Sequence, residues 1–294
     1  MRPTFYIVDV FAENRYSGNQ LAVFRNVAML SDREMQDIAR EMHYSETTFI
    51  TSEKESEGGY NVRIFTPEHE MPFAGHPTLG TAFIIQREII GRAVERVNLN
   101  LKVGQIPVTI NYDDGRADML WMKQKNPIFG KTINVSRMAD ALRLRKSDLD
   151  ENFPVEEVST GVPFFIVPLK KMEAVKRARM NLDVFGEIVK DTEANAILVF
   201  APETESSKNQ LHVRVFVDFH GIPEDPATGS ANGCLAGYLV KHGYFGSNAI
   251  NIKVEQGFEI KRPSLLNLKA EIYENGIDVR VGGRVYMVAR GELV

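Results

Sequence analysis

One frame of residues occurs twice in this chain, and the repeat limits its fold more than any other feature. Val62-Arg63-Ile64-Phe65 is followed by His69, Pro72 and Gly75-His76. Counting 151 positions from Arg63 to Arg214, Val213-Arg214-Val215-Phe216 is followed by His220, Pro223 and Pro226-Ala227-Thr228-Gly229-Ser230. Val, Arg, Phe, His and Pro agree in register, and Val103 and Gln105 return as Val254 and Gln256. A period of half the chain predicts two structurally equivalent halves, not a stack of short solenoid units. The 294 residues give each half enough length for its own core. The expected division is residues 1–124 plus 284–294 against residues 125–283, with the boundary near 122–131, where Pro127 and Gly130 break the pattern.

Alternating, β-branched and aromatic runs predict strands at Phe5–Val10, Leu21–Phe24, Glu46–Thr51 and Tyr60–Phe65, and others through both halves. Ser31-Asp32-Arg33-Glu34 has capping-box spacing and predicts a helix to about Met42. Two further helices are different in kind. The helix opening at Gly75-His76-Pro77-Thr78 and running to about Glu88 is apolar almost all round, and so is the one opening at Thr228-Gly229-Ser230. A helix without a polar face must be enclosed. The fold class expected is therefore α+β, each half a curved, barrel-like mixed sheet wrapped around one apolar helix. A polar helix is expected near Met138–Leu144, mobile loops at 53–59 and 203–208, a helix end at His242-Gly243 and a hairpin turn at Gly282-Gly283.

Bulk composition removes several functions. A net charge of −4 leaves no basic footprint for nucleic acid. A single cysteine, Cys234, rules out an internal disulfide framework and a thiolate-rich zinc site. The N-terminus reads as a strand with no signal-peptide stretch, and no run is long enough to span a bilayer, so a soluble cytoplasmic protein is expected. His69 and His220 lack close-spaced partners, so no metal is expected. No P-loop, dinucleotide fingerprint or Gly-x-Ser-x-Gly elbow occurs.

The residues left to carry chemistry cluster at the two apolar helices. Each helix start offers free backbone N–H groups and a positive dipole end, which suit an anion such as a carboxylate. Gly75 and Gly229 permit close approach to the backbone. Glu46 shares a strand face with Thr48 and Ile50. A carboxyl on an inward face would suit proton transfer; on an outward face it is only a solvated strand-end Glu. His76 and Asp225 fall in corresponding zones near the helix starts, where a carboxylate would fix an imidazole tautomer, or where the two are a capping histidine and a turn residue. Ser230 is either a donor to substrate or a helix cap. Cys234 sits in an apolar helix and reads as inert core.

Val8-Asp9-Val10-Phe11 with Ser17-Gly18-Asn19, Ser45-Glu46-Thr47-Thr48-Phe49, Gly75-His76-Pro77-Thr78-Leu79-Gly80 and Glu224-Asp225-Pro226-Ala227-Thr228-Gly229-Ser230-Ala231 occur in that order from end to end. On these motifs the chain resembles the PhzF family, the phenazine-biosynthesis-like proteins of the diaminopimelate-epimerase fold. The resemblance implies a homodimer and a cofactor-free site to which both halves contribute. It implies a glutamate, Glu46, that takes a proton from one carbon of a small carboxylate-bearing substrate and returns it to another. His76, Asp225 and Ser230 would assist, and Gly75 and Gly229 would lie where the substrate carboxylate binds. The thiol racemases related in fold carry cysteines that would fall near Ala74 and Pro226, where this chain has none. An isomerase is the first expectation. A binding-only member and a racemase without thiols are the alternatives.

Overall fold

The computed structural model describes residues 2–220 and 222–294 and separates into two compact units, residues 1–122 with 282–294, and residues 123–281. The first unit opens with β1 (Thr4–Val10), β2 (Asn19–Arg25), α1 (Asp32–Met42), β3 (Thr47–Ile50), β4 (Tyr60–Phe65), β5 (Glu70–Met71), α2 (Gly75–Ile84), β6 (Arg96–Leu101), β7 (Gly104–Asp113) and β8 (Arg116–Lys123). The second holds β9 (Ile128–Ile133), α3 (Val135–Ala141), β10 (Val155–Ser159), β11 (Pro163–Pro168), α4 (Met172–Arg177), α5 (Leu182–Val189), β12 (Ile197–Ala201), β13 (Leu211–Phe216), β14 (Glu224–Asp225), α6 (Gly229–Lys241), β15 (Ala249–Gln256), β16 (Ser264–Tyr273) and β17 (Gly276–Gly283). The last strand, β18 (Val285–Glu292), returns to the first unit.

The repeat seen in sequence is a repeat of strand pairing. In the first unit β18–β1 and β1–β2 are antiparallel, β2–β3 parallel, β3–β4 antiparallel, β4–β6 parallel and β6–β7 antiparallel. In the second, β9–β10, β10–β11, β11–β12, β12–β13, β13–β15 and β15–β16 follow with the same six orientations in the same order. Each sheet wraps its own apolar helix. All ten residues of α2 are buried, packed on β1, β2, β3, β6, β7 and β18. In α6 all but Ser230 and Lys241 are buried, against β10, β11, β12, β15 and β16. By contrast α1 buries only Met35 and Ala39, against Phe24, Phe49 and Phe65, and keeps its polar face in solvent.

Register sharpens the repeat and corrects part of it. Thr47 pairs with Phe65 as Ile197 pairs with Phe216, so the 151-residue offset holds through β4 and β13. Ile64 then pairs with Met71, while Val215 pairs with Asp225. The turn between β13 and β14 is three residues longer than that between β4 and β5, so the offset becomes 154. The counterpart of Asp225 is thus Met71, not His76. His76 and Ser230 correspond, each the second residue of its helix. Pro72 matches Pro226, not Pro223, and Ala74 matches Thr228. The parallel pairings of β6 and β15 likewise make Leu101, not Gln105, the counterpart of Gln256.

Several local expectations also change. The Ser31 capping box forms with both of its hydrogen bonds. The helix after Gly75 continues past α2 as a π-helical stretch, Ile85–Ile90, closed by Gly91 in the left-handed region. The helix expected from Met138 begins earlier, because Asn134 caps it by accepting from the Ser136 and Arg137 amides, and it buries Met138, Ala139 and Ala141. Loop 203–208 is anchored: the buried Glu255 carboxylate accepts from the amides of Glu205 and Ser206 and from Asn209 Nδ2 at 2.7–2.9 Å. Loop 53–59 is held by Asn98, Asn100 and Gln105 side chains donating to the carbonyls of Gly58, Ser56 and Glu57. Gly282-Gly283 is not a turn but the end of β17. A Cβ on Gly282 would fall 2.5 Å from the Trp121 ring, and one on Gly283 would strike Phe11.

Candidate active site

The first helix start is built by two strands and a turn. In β3, Thr48 points at α2, its hydroxyl 2.8 Å from that of Thr81, both fully buried. Strand alternation sends Glu46, two residues earlier and just ahead of β3, toward the same helix. There Glu46 Oε2 lies 3.5 Å from Nε2 of His76, with the side chains 17% and 6% exposed. The reading of Glu46 as a solvated strand-end residue is therefore set aside by its position. Burial pushes the His76 imidazole down to about 3, against a hydrogen bond with the Gln20 backbone that opposes the shift. Desolvation outweighs the opposing bond, so at neutral pH His76 is uncharged although Glu46 lies 3.5 Å away.

Gln20 is in place because of the turn before it. Asp9 Oδ2 accepts from the Tyr16 amide at 2.6 Å, and Ser17 Oγ donates to Asn14 O at 2.7 Å. Gly18 follows at φ +71°, where a Cβ would meet the Val10 carbonyl. The Val8-Asp9-Val10-Phe11 and Ser17-Gly18-Asn19 motifs thus set the strand whose backbone reaches His76. The motifs are legible in the sequence, and this role is not.

The second helix start carries Asp225, Gly229 and Ser230. Asp225, buried in β14, accepts a 2.5 Å hydrogen bond from Thr228 Oγ1. Ser230 does not cap α6; the cap position is Thr228, whose side chain makes no capping bond. Ala74 at the start of α2 offers none either, whereas α1 and α3 are capped by Ser31 and Asn134. Both enclosed helices therefore begin with amides that no side chain caps, at Gly75 and at Gly229. The Arg of the repeat now has a structural account: Arg63 grips Glu70 through two bonds of 2.9 and 2.8 Å, and Arg214 grips Glu224 at 3.0 and 2.7 Å. Each pair staples the hairpin that delivers the chain to its helix start.

Glu46 and His76 both lie in the first unit. The counterpart of Glu46 is Ala196, fully buried, and that of His76 is Ser230. Cys234 is fully buried with its thiol pushed up to about 12 by desolvation, which makes it a poor nucleophile or base. Among the described residues no cluster of three or more His, Cys, Asp or Glu forms a metal site, and the His220 side chain lies outside the described residues. Among them, too, no helix is long and apolar enough to cross a membrane.

A family profile described as phenazine biosynthesis-like protein, PhzC-PhzF, matches residues 8–291. An uncharacterised isomerase of Clostridium acetobutylicum is 33% identical over 98% of this chain and 97% of its own. The trans-2,3-dihydro-3-hydroxyanthranilate isomerase of Pseudomonas aeruginosa is 33% identical over 91% of this chain and 90% of its own. A crystal structure of a Bacillus anthracis PhzF-family protein superposes with a TM-score of 0.90 at 26% identity, each chain covered completely. With the family profile spanning nearly the whole chain and relatives named as isomerases aligned end to end, the protein belongs to the phenazine biosynthesis-like family and is an isomerase.

Proposed function

We propose a cofactor-independent isomerase that moves one proton within a small carboxylate-bearing substrate. Glu46 as carboxylate removes a proton from a carbon made acidic by an adjacent unsaturated group. The C–H electron pair becomes part of a shifted double bond, and the Glu46 carboxylic acid returns its proton to the carbon two positions away. The carboxylate is regenerated and nothing else is consumed. The observation that carries this reading is the 3.5 Å approach of Glu46 to a His76 held neutral by burial. A cationic neighbour would hold Glu46 ionised and impede the return step; an uncharged imidazole does not. His76 then orients the carboxyl, and Asp225 is proposed to act at the second helix start.

Each uncapped helix start, at Gly75 in one unit and at Gly229 with Ser230 in the other, is proposed as a place for an anionic substrate group, which such a start favours. An epimerase would need a second base, and the positions corresponding to Glu46 and His76 hold Ala196 and Ser230. The test uses trans-2,3-dihydro-3-hydroxyanthranilate, the compound named for the Pseudomonas relative. Glu46→Gln should keep the fold and lose roughly 10²-fold or more in kcat, and product formed in heavy water should carry deuterium at the accepting carbon. Full activity of Glu46→Gln would end the proposal.

A further inference from the structure

Gln256, which the sequence repeat matched only with Gln105, makes four hydrogen bonds around the second helix start, all from a fully buried side chain. Its Nε2 donates to the Asp225 carbonyl at 2.8 Å and to Thr228 Oγ1 at 3.0 Å. Its Oε1 accepts from the Thr228 amide at 3.2 Å and from Asn232 Nδ2 at 2.8 Å. A primary amide has two donor hydrogens and two acceptor lone pairs, so this one is saturated. Its orientation is fixed too. Turned over, its NH₂ would face two donors and its oxygen a carbonyl.

Asn232 reinforces that choice. Its Nδ2 also donates to the Thr228 carbonyl at 3.0 Å, and its own Oδ1 is buried without a hydrogen-bond partner. Leaving a buried acceptor unmet costs stability. The arrangement accepts that cost while keeping Gln256 clamped between the cap residue and the first turn of α6.

Thr228 then has a defined polarity. One lone pair of its hydroxyl is occupied by the Gln256 donor, and its single proton goes to Asp225 Oδ2 at 2.5 Å. The first unit has no such device: the residues corresponding to Gln256, Thr228 and Asp225 are Leu101, Ala74 and Met71, none able to make these bonds.

We infer that Gln256 is a positioning residue: acting through Thr228, it fixes the Asp225 carboxylate as a hydrogen-bond acceptor and holds the Gly229–Ser230 turn in the form that receives an anionic substrate group. This deepens the function proposed above and rests on it for its kinetic consequence, though not for its hydrogen-bond consequence. The test compares Gln256→Leu, which copies the first unit, Gln256→Glu, which keeps the shape but removes both donors, Thr228→Val and Thr228→Ser.

With trans-2,3-dihydro-3-hydroxyanthranilate, Gln256→Leu and Thr228→Val should each lose roughly tenfold or more in kcat/KM, and the double variant should lose no more than the worse single, because both cut one chain of bonds. Thr228→Ser, which restores the hydroxyl, should recover most of the activity. Independently of any substrate, the ¹³C signal of the Asp225 carboxyl should titrate at higher pH in Gln256→Leu, Gln256→Glu and Thr228→Val than in the wild type. If Gln256→Leu does not fold, Gln256→Glu with the Thr228 pair decides the matter. A wild type inactive on this compound, with the Asp225 shifts present, would overturn the substrate reading and sustain the role of Gln256. An unmoved Asp225 signal, or losses that multiply in the double variant, would overturn the role itself.

Discussion

His76 shows how one residue's surroundings choose its chemistry. Exposed, a histidine titrates near 6.5; here burial outweighs the Gln20 bond and leaves the ring neutral down to about pH 3. The expected outcome is that the His76 ring carbon signals in ¹³C-histidine-labelled protein stay flat from pH 8 to 4. A midpoint near 6.5 would show a hydrated ring and remove the argument for a neutral partner to Glu46. Glu46 was legible as a candidate because strand alternation gave it a face, but only its approach to His76 gave that face a meaning. Gln256 was visible only as a repeat of Gln105, a match the fold corrects to Leu101, and its role was not legible. Its four partners come from β14, the loop after it and α6, and no spacing in the sequence announces their meeting.

At the scale of elements, enclosure of α2 makes demands on single positions. Gly80 faces β1 and β2, and an added Cβ would lie 2.6 Å from Leu21 and 3.0 Å from Val10, both fully buried. Gly80→Ala should cost about 1–3 kcal/mol despite the better helix propensity of alanine, measured by urea unfolding. A neutral or stabilising result would mean that the strands yield freely. The capping box of α1 was readable because its signal is local, Ser31 and Glu34 being three residues apart. The anchoring of loop 203–208 was not, because its partner, Glu255, arrives from a strand some fifty residues later.

For the molecule as a whole, two buried histidines pull stability in opposite directions with pH. His76, lowered to about 3, contributes a slope between pH 3 and 6.5, where the unfolded chain binds more protons, so stability falls as acid is added. His212 is the reverse case. Fully buried, it pays for desolvation but is bonded to Glu255 at 3.0 Å and Glu259 at 2.9 Å, which raise it to about 9. Its contribution is complete below pH 6.5 and is lost as pH rises through 9. Denaturation measured from pH 6.5 to 9 should show falling stability. His212→Gln should remove that slope and cost about 3–5 kcal/mol at pH 6.5 by taking away the cation that Glu255 and Glu259 share. A slope unchanged in the variant would assign it to other groups. The homodimer implied by the family resemblance is a separate proposal; light scattering should return about twice the 33.1 kDa chain mass.

The sequence by itself determined the duplicated architecture and the enclosure of two helices, because repeat period and all-round apolarity are properties of the chain read along its length. It also marked Glu46, His76, Gly75, Asp225, Gly229 and Ser230 as the places to look. Tertiary structure alone decided which residues correspond, since a three-residue difference in one turn shifts the match from His76–Asp225 to His76–Ser230. It decided protonation as well: desolvation and hydrogen bonding depend on neighbours brought from distant strands, and that information exists only once the chain has folded.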